Sequence, residues 1–225
     1  MKKWGVNMLK TNEIKKAVQW LKELYPDAKP ELVYNTAYEL LVAVILSAQC
    51  TDIRVNQVTQ ILFQKYSTAQ QMILLDEEEL GEIIRSTGLY KAKSKNILET
   101  SRILVEKYGG EVPGEREALE ALPGVGRKTA NVVLSVWFDI PAIAVDTHVF
   151  RVSNRLGIAE AKDVKQTENQ LMKNIAEKDW YKMHHCLIFH GRRICKARGP
   201  LCEECKLNQI CQYYKGLRGG KDEIN

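Results

Sequence analysis

The 225-residue chain has no apolar run long enough to cross a bilayer, which takes roughly 20 residues. Its longest run, Leu40 to Leu46, is cut by Ser47 and Gln49. Lys2, Lys3 and Lys10 are followed by no apolar core, so they do not read as a secretory signal, and nothing before Met8 looks structural. A cytoplasmic protein without a membrane partner is expected. No low-complexity tract, long polar run or internal repeat is present, which excludes disordered, fibrous and solenoid classes. Sustained two-residue alternation is also missing, which argues against sheets and for an all-α fold. Nothing points to an oligomer, so a monomer is expected. Charge of one sign is only mildly in excess: the net charge is +5 and the pI about 8.8, a weak pointer to an anionic partner.

What is present is helical periodicity. Ile14, Ala17, Val18, Leu21 and Leu24 share a face, and Pro26 ends the run. Tyr38 to Leu46 is apolar all round, as a central buried helix would be. Asp52 reads as an N-cap for a helix carrying Val55, Val58, Ile61 and Leu62. A stripe of Leu80, Ile83 and Ile84 stops at Gly88, and Ile97, Leu98, Leu104 and Val105 lead to Gly109 and Gly110.

The most informative stretch is Leu122-Pro-Gly-Val-Gly-Arg-Lys-Thr-Ala130. One helix should end near Ala121 and the next begin near Arg127. Gly124 and Gly126 permit positive φ and present no side chain. Amides of the turn and of the new helix then point into open space, an arrangement that suits a phosphate oxygen. Contacts of that kind hold a nucleic-acid backbone without reading sequence. A plain tight turn between helices is the alternative.

Lys128 falls in the first turn of that second helix. The helix dipole and neighbouring Arg127 both disfavour its ammonium form. A neutral amine there can attack a sugar carbon and form a Schiff base; a charged phosphate-binding lysine is the other reading. The helix from Arg127 to Phe138 spans ~18 Å, and Asp139 to Asp146 reaches at most ~28 Å when extended. Asp146 can therefore return beside the helix start that holds Lys128. It also reads as the N-cap of a helix from Thr147 to Leu156. A carboxylate pinned there could take the lysine's proton or stabilise a cationic sugar.

Cys195, Cys202, Cys205 and Cys211 are spaced C-x6-C-x2-C-x5-C. Without an export signal, disulfides are disfavoured. Only one close pair exists, so zinc fits less well than a [4Fe–4S] cluster. Cys50 and Cys186 sit inside apolar helical runs and read as packing residues. His184, His185 and His190 have no recurring acidic partner and read as core or hydrogen-bonding groups, while the role of His148 stays open. Basic side chains gather at Arg192, Arg193, Lys196, Arg198, Lys206, Lys215 and Arg218, with a second group at Lys91, Lys93 and Lys95; such groups read as solvated faces or as an anion-binding surface.

The run LPGVGRKTANVV resembles the helix–hairpin–helix motif of DNA glycosylases. Together with LSAQCTD, STGLYKAK, AVDTHVFRVSNRLG and the cysteine spacing, it resembles the endonuclease III family from about Glu31 to Cys211. The resemblance implies two α-helical domains flanking a DNA-binding cleft. One is a six-helix barrel over 30–140, with its hairpin at about 116–135. The other joins 1–29 to 141–225 and holds the cluster in the loop 195–211. Lys128 matches the nucleophile, Asp146 the catalytic aspartate and the four cysteines the cluster ligands. Gln49 and Leu89 match residues that enter the duplex where the damaged nucleotide leaves. Leu122, Gly124, Val125, Gly126 and Arg127 belong to the hairpin that contacts DNA, and Lys196, Arg198 and Lys206 could contact it from the cluster loop. The implied activity is removal of oxidised pyrimidines such as thymine glycol from duplex DNA, followed by strand cutting 3′ to the abasic site. Adenine-specific mismatch glycosylases of the same superfamily share the hairpin and cysteines but generally lack the lysine. A non-catalytic DNA-binding module would need neither Lys128 nor Asp146.

Overall fold

The computed structural model of the chain describes residues 7–222, and Lys2 and Lys3 lie outside the described residues. Among the described residues every regular element is helical. In chain order these are α1 Thr11–Leu24, α2 Ala37–Leu46, α3 Asp52–Leu62, α4 Ala69–Met72 and α5 Glu77–Ile84. A 3-10 turn at Arg85–Thr87 precedes α6 Tyr90–Tyr108, α7 Arg116–Glu120 and α8 Arg127–Trp137. Then come α9 Thr147–Leu156, α10 Val164–Asn174, a 3-10 turn at Glu177–Asp179, α11 Trp180–Arg193 and α12 Gln212–Asp222. The chain divides into a continuous unit, Pro30–Ile140, and a split unit, Met1–Lys29 with Pro141–Asn225.

In the continuous unit, α2 is the centre: every residue from Ala37 to Leu46 is buried. Thr36 caps it by accepting from the Glu39 amide at 3.1 Å, which satisfies one of the donors a helix start leaves over. Helices α3, α6 and α8 pack on it, and Leu41, Leu46, Leu80, Ile84, Ile97, Leu98, Leu104 and Leu119 are fully or almost fully enclosed. Each such side chain stabilises the fold by about 1.5–3 kcal/mol.

The split unit is built on α9 and α11, with α1 against α11 and α10 and α12 against α9. Its core joins Ala17 and Leu21 of α1 to Val149, Val152 and Leu156 of α9 and to Met183, Cys186 and Leu187 of α11. Segments on either side of the continuous unit in sequence thus share one core.

Three expectations change. Thr51, not Asp52, is the N-cap of α3: its hydroxyl accepts from the Arg54 amide, and Asp52 is the first helical residue. Ile61 is 67% exposed, since the α3 stripe is narrower than its apolar spacing suggests. Cys50 lies half-buried in the turn after α2 rather than inside a helix.

Candidate functional site

The hairpin between α7 and α8 is closed from within. The Leu122 amide donates to Leu119 O at 3.1 Å and the Val125 amide to Leu122 O at 3.0 Å. Leu122 and Val125 are buried in the core, so they anchor the turn while Gly124, Gly126 and Arg127 form its exposed surface. On α6, Thr100 Oγ1 holds Pro123 O at 2.9 Å. Arg116 on α7 donates to the buried Asn131 on α8, which fixes the two arms together. Gly124 has φ +75°, as expected, but Gly126 has φ −93°. Gly126 is therefore not required by backbone conformation. It is the N-cap of α8 without a side-chain cap, and a Cβ added there would meet nothing within 4 Å.

The two glycines should respond differently to alanine. A Cβ on Gly124 would come within 3.0 Å of the Asn96 side chain at a positive φ, costing roughly 1–3 kcal/mol. At Gly126, an N-cap where glycine is preferred to alanine but no clash or strain arises, alanine should cost no more than about 1 kcal/mol. If the turn's open face receives a phosphate, Gly126→Ala still weakens DNA binding, because the added methyl stands in that space. Urea unfolding and a duplex-binding titration on both variants separate the effects.

Lys128 is the second residue of α8 and half-buried. Asp146 is the N-cap of α9, as the sequence indicates, and Oδ1 accepts from the amides of His148 and Val149, both at 2.8 Å. A single oxygen makes the whole cap, so the other carboxylate oxygen takes no part in it. Lys128 belongs to the continuous unit and Asp146 to the split one. His148, on the first turn of α9, faces Arg151 Nη2 at 3.2 Å and packs where Gly191 leaves no room for a Cβ. Burial holds its pKa below the usual histidine value, against the opposing pull of Asp146.

Three exposed residues of the continuous unit that carry side chains take left-handed backbone: Gln49, between α2 and α3, with φ 54°, Leu89, at the start of α6, with φ 49°, and Asp139, after α8, with φ 53°. That conformation costs roughly 1–2 kcal/mol for a residue with a side chain. Leu89 also leaves a large apolar side chain 55% exposed. Strain and apolar exposure together are unfavourable for folding at Leu89.

Cys195, Cys202, Cys205 and Cys211 line one cavity, together with His190, Leu156 and Tyr213. Burial pushes up the thiols of Cys202 and Cys205, and that of Cys211 to about 11; charge on the neighbouring cysteines adds to each shift. Four thiolates would repel one another here, and a cationic group at their centre reverses that cost. Among the described residues no three His, Cys, Asp or Glu are gathered as ligands of one metal ion.

Around the sulfurs stand donors that local sequence reading did not find. Arg155 Nη1 lies 3.6 Å from Cys195 Sγ and donates to Lys196 O at 2.7 Å. His190 Nε2 lies 3.6 Å from Cys205 Sγ, and its Nδ1 lies 3.0 Å from the hydroxyl of Tyr25. Arg151 Nε donates to Cys195 O at 3.0 Å. These partners are 15 to 165 residues apart in sequence, so no local pattern could have paired them. His184 and His185 are buried, with His184 Nδ1 at 2.8 Å from Ala144 O, in line with a core role. Lys196, Arg198 and Lys206 are exposed on the cysteine loop.

Comparison with known proteins bears on these features together. The family model described as the HhH-GPD superfamily base excision DNA repair protein matches residues 42–177. Endonuclease III of Bacillus subtilis (strain 168) is 52% identical over 206 residues, covering 91% of this chain and 94% of the relative. Endonuclease III of Escherichia coli (strain K12) is 48% identical over 193 residues, covering 86% and 92%. Among solved structures, a non-covalent endonuclease III–DNA complex matches with TM-score 0.90 and 48% identity, covering 94% of this chain and 100% of that one. A trapped endonuclease III–DNA covalent intermediate matches with TM-score 0.90 and 49% identity, over the same shares. The family model spans both the hairpin and the α9 cap, and on these matches the chain belongs to the endonuclease III family within the HhH-GPD superfamily of base excision DNA repair proteins.

Proposed function

We propose that this chain is a DNA glycosylase and abasic-site lyase that removes oxidised pyrimidines from duplex DNA. The observation that carries the reading is the hairpin. It places Lys128 in the first turn of a helix whose N-cap glycine faces open space. First-turn amides have no carbonyl partner within their helix, so they suit a phosphate of the lesion strand. Exposed Lys196, Arg198 and Lys206 add backbone contacts that position the duplex without reading it.

A base inside a duplex is out of reach and must be flipped out, at a cost of a few kcal/mol. Leu89 fills the space left in the stack, and Gln49 offers hydrogen bonds to the widowed base. Lys128, as the neutral amine, attacks C1′ of the flipped nucleotide. The C1′–N bond breaks, and the base leaves with that electron pair and a proton. Asp146 accepts the proton released by the amine or stabilises the cationic sugar. The C1′–O4′ bond then opens, O4′ taking a proton, and C1′ becomes the carbon of a protonated Schiff base; this acidifies the C2′ hydrogen, and its removal as a proton drives β-elimination of the 3′ phosphate.

The cysteine set fits a [4Fe–4S] cluster. All four line one cavity, and four cysteine thiolates suit such a cluster, whereas zinc sites usually bring two close pairs and this set has only one, Cys202 and Cys205. Cys195, Cys202, Cys205 and Cys211 would hold the cluster. When bound it supplies a covalent crosslink for the loop 195–211; the proposed reaction moves no electrons. Protein with the cluster chemically reduced should turn over at the same rate.

The test is a duplex containing one thymine glycol. Released base, a nick 3′ to the lesion and a borohydride-trapped adduct mapped to Lys128 by mass spectrometry are expected. Binding without product would favour a non-catalytic DNA-binding module. Release of adenine opposite a mismatch, in place of thymine glycol, would favour the mismatch-glycosylase reading.

A further inference from the structure

Lys91, Lys93 and Lys95 read in the sequence as one basic group, but only Lys91 and Lys95 are exposed. Lys93 is 4% exposed. Its Nζ donates to Leu46 O at 2.8 Å and to Thr87 O at 2.8 Å. Leu46 ends α2 and Thr87 ends the 3-10 turn. One side chain therefore joins the two segments that lead into the strained positions Gln49 and Leu89. Its backbone contributes as well: the Lys93 amide donates to Leu89 O at 3.0 Å.

Burying an ammonium is unfavourable unless its donors are satisfied, and burial here lowers the Lys93 pKa. An apolar side chain at this position would avoid that cost in a helix used only for packing. Each turn already has local closures: Cys50 N to Ser47 O at 3.1 Å, Gly88 N to Arg85 O at 3.3 Å, and Thr87 Oγ1 to Ile84 O at 2.8 Å. Those closures shape each turn singly. Only the Lys93 amine, among the described hydrogen bonds, joins the two.

We infer that Lys93 is a positioning residue that holds the Gln49 and Leu89 turns at a fixed separation, so that both side chains enter the duplex together at one flipped nucleotide. This rests on the proposed glycosylase reading and adds to it the coupling of the two inserted groups.

The test uses the full-length protein. Lys93→Met keeps the side chain's length and apolar stem but removes the bridge. Single-turnover release of thymine glycol from a fully paired duplex should fall by about tenfold or more. Borohydride trapping on single-stranded abasic DNA, where no stack need be opened, should be unchanged. In a duplex with 2-aminopurine opposite a tetrahydrofuran abasic analogue, the wild-type chain should raise the fluorescence and Lys93→Met should raise it less. Lys93→Arg keeps cationic donors and should restore part of both duplex signals. If Lys93→Met does not accumulate as folded protein, Lys93→Arg carries the test, with a smaller duplex loss and unchanged single-strand trapping. Equal losses on paired and single-stranded DNA, or no loss on either, overturn the inference. A wild-type chain that releases no base from the paired duplex counts instead against the glycosylase reading, because every comparison here is made relative to an active wild type.

Discussion

Replacing Lys128 with glutamine should abolish borohydride trapping and slow strand cutting at a preformed abasic site by at least about 10³-fold. Glutamine cannot form a Schiff base, so the covalent route closes. The substitution should leave the fold intact. Lys128 is half-buried in a first helical turn, and lysine and glutamine differ little in helix propensity. Unfolding should shift by no more than about 0.5 kcal/mol. A folded Lys128→Gln protein that nicks abasic DNA at the wild-type rate would remove lysine from the mechanism.

Asp146→Asn is the companion experiment, because the chemical role proposed for Asp146 is separable from its cap. Its Oδ1 caps α9 through two amides, and asparagine caps about as well. Stability should therefore hold. The neutral amide can neither take a proton nor offset a cationic sugar, so base release should fall by roughly 10²- to 10⁴-fold. A variant that instead lost stability and kept its rate would mark Asp146 as a cap and nothing more.

The second large effect is expected at the cysteines. Cys211→Ser removes a thiol that is 7% exposed in the core of the split unit. If the four cysteines hold a cluster, the variant should lose iron and acid-labile sulfide together, along with broad visible absorbance. Unfolding should become easier by several kcal/mol, since energy of metal binding is energy of folding in such a loop. Few residues between Cys195 and Cys211 are buried and the loop's described regular structure is limited to turns, so a cluster would add to the hydrogen bonds from Arg151 and Arg155 in ordering it. Cys50→Ser is the control and should keep full iron, because Cys50 lies in the other unit. Stoichiometric zinc in the purified wild-type chain, or full iron in Cys211→Ser, would contradict the cluster assignment.

The residue sequence on its own determined the features that depend on near neighbours. The stops at Pro26 and Gly109 placed the ends of α1 and α6 to within a residue or two, because helix termination is local, while α4, α10, α11 and α12 carried no such marked bounds. The Asp146 cap was legible for the same reason: a capping carboxylate bonds amides two and three residues on. So were the hairpin with Lys128 at its helix start and the four-cysteine spacing. Tertiary structure decided what depends on distant partners. Residues 91, 93 and 95 look alike in a row of charges, yet two-residue steps turn about 200° around a helix. Lys93 therefore points to the buried carbonyls of residues 46 and 87 while Lys91 and Lys95 point to solvent. His190 and Arg155 meet the cysteines only because α9 and α11 pack together. Gly126 takes an ordinary φ because the turn closes through Val125 and Leu122. Contacts between residues far apart in sequence follow from how the helices share a core, and no local pattern encodes them.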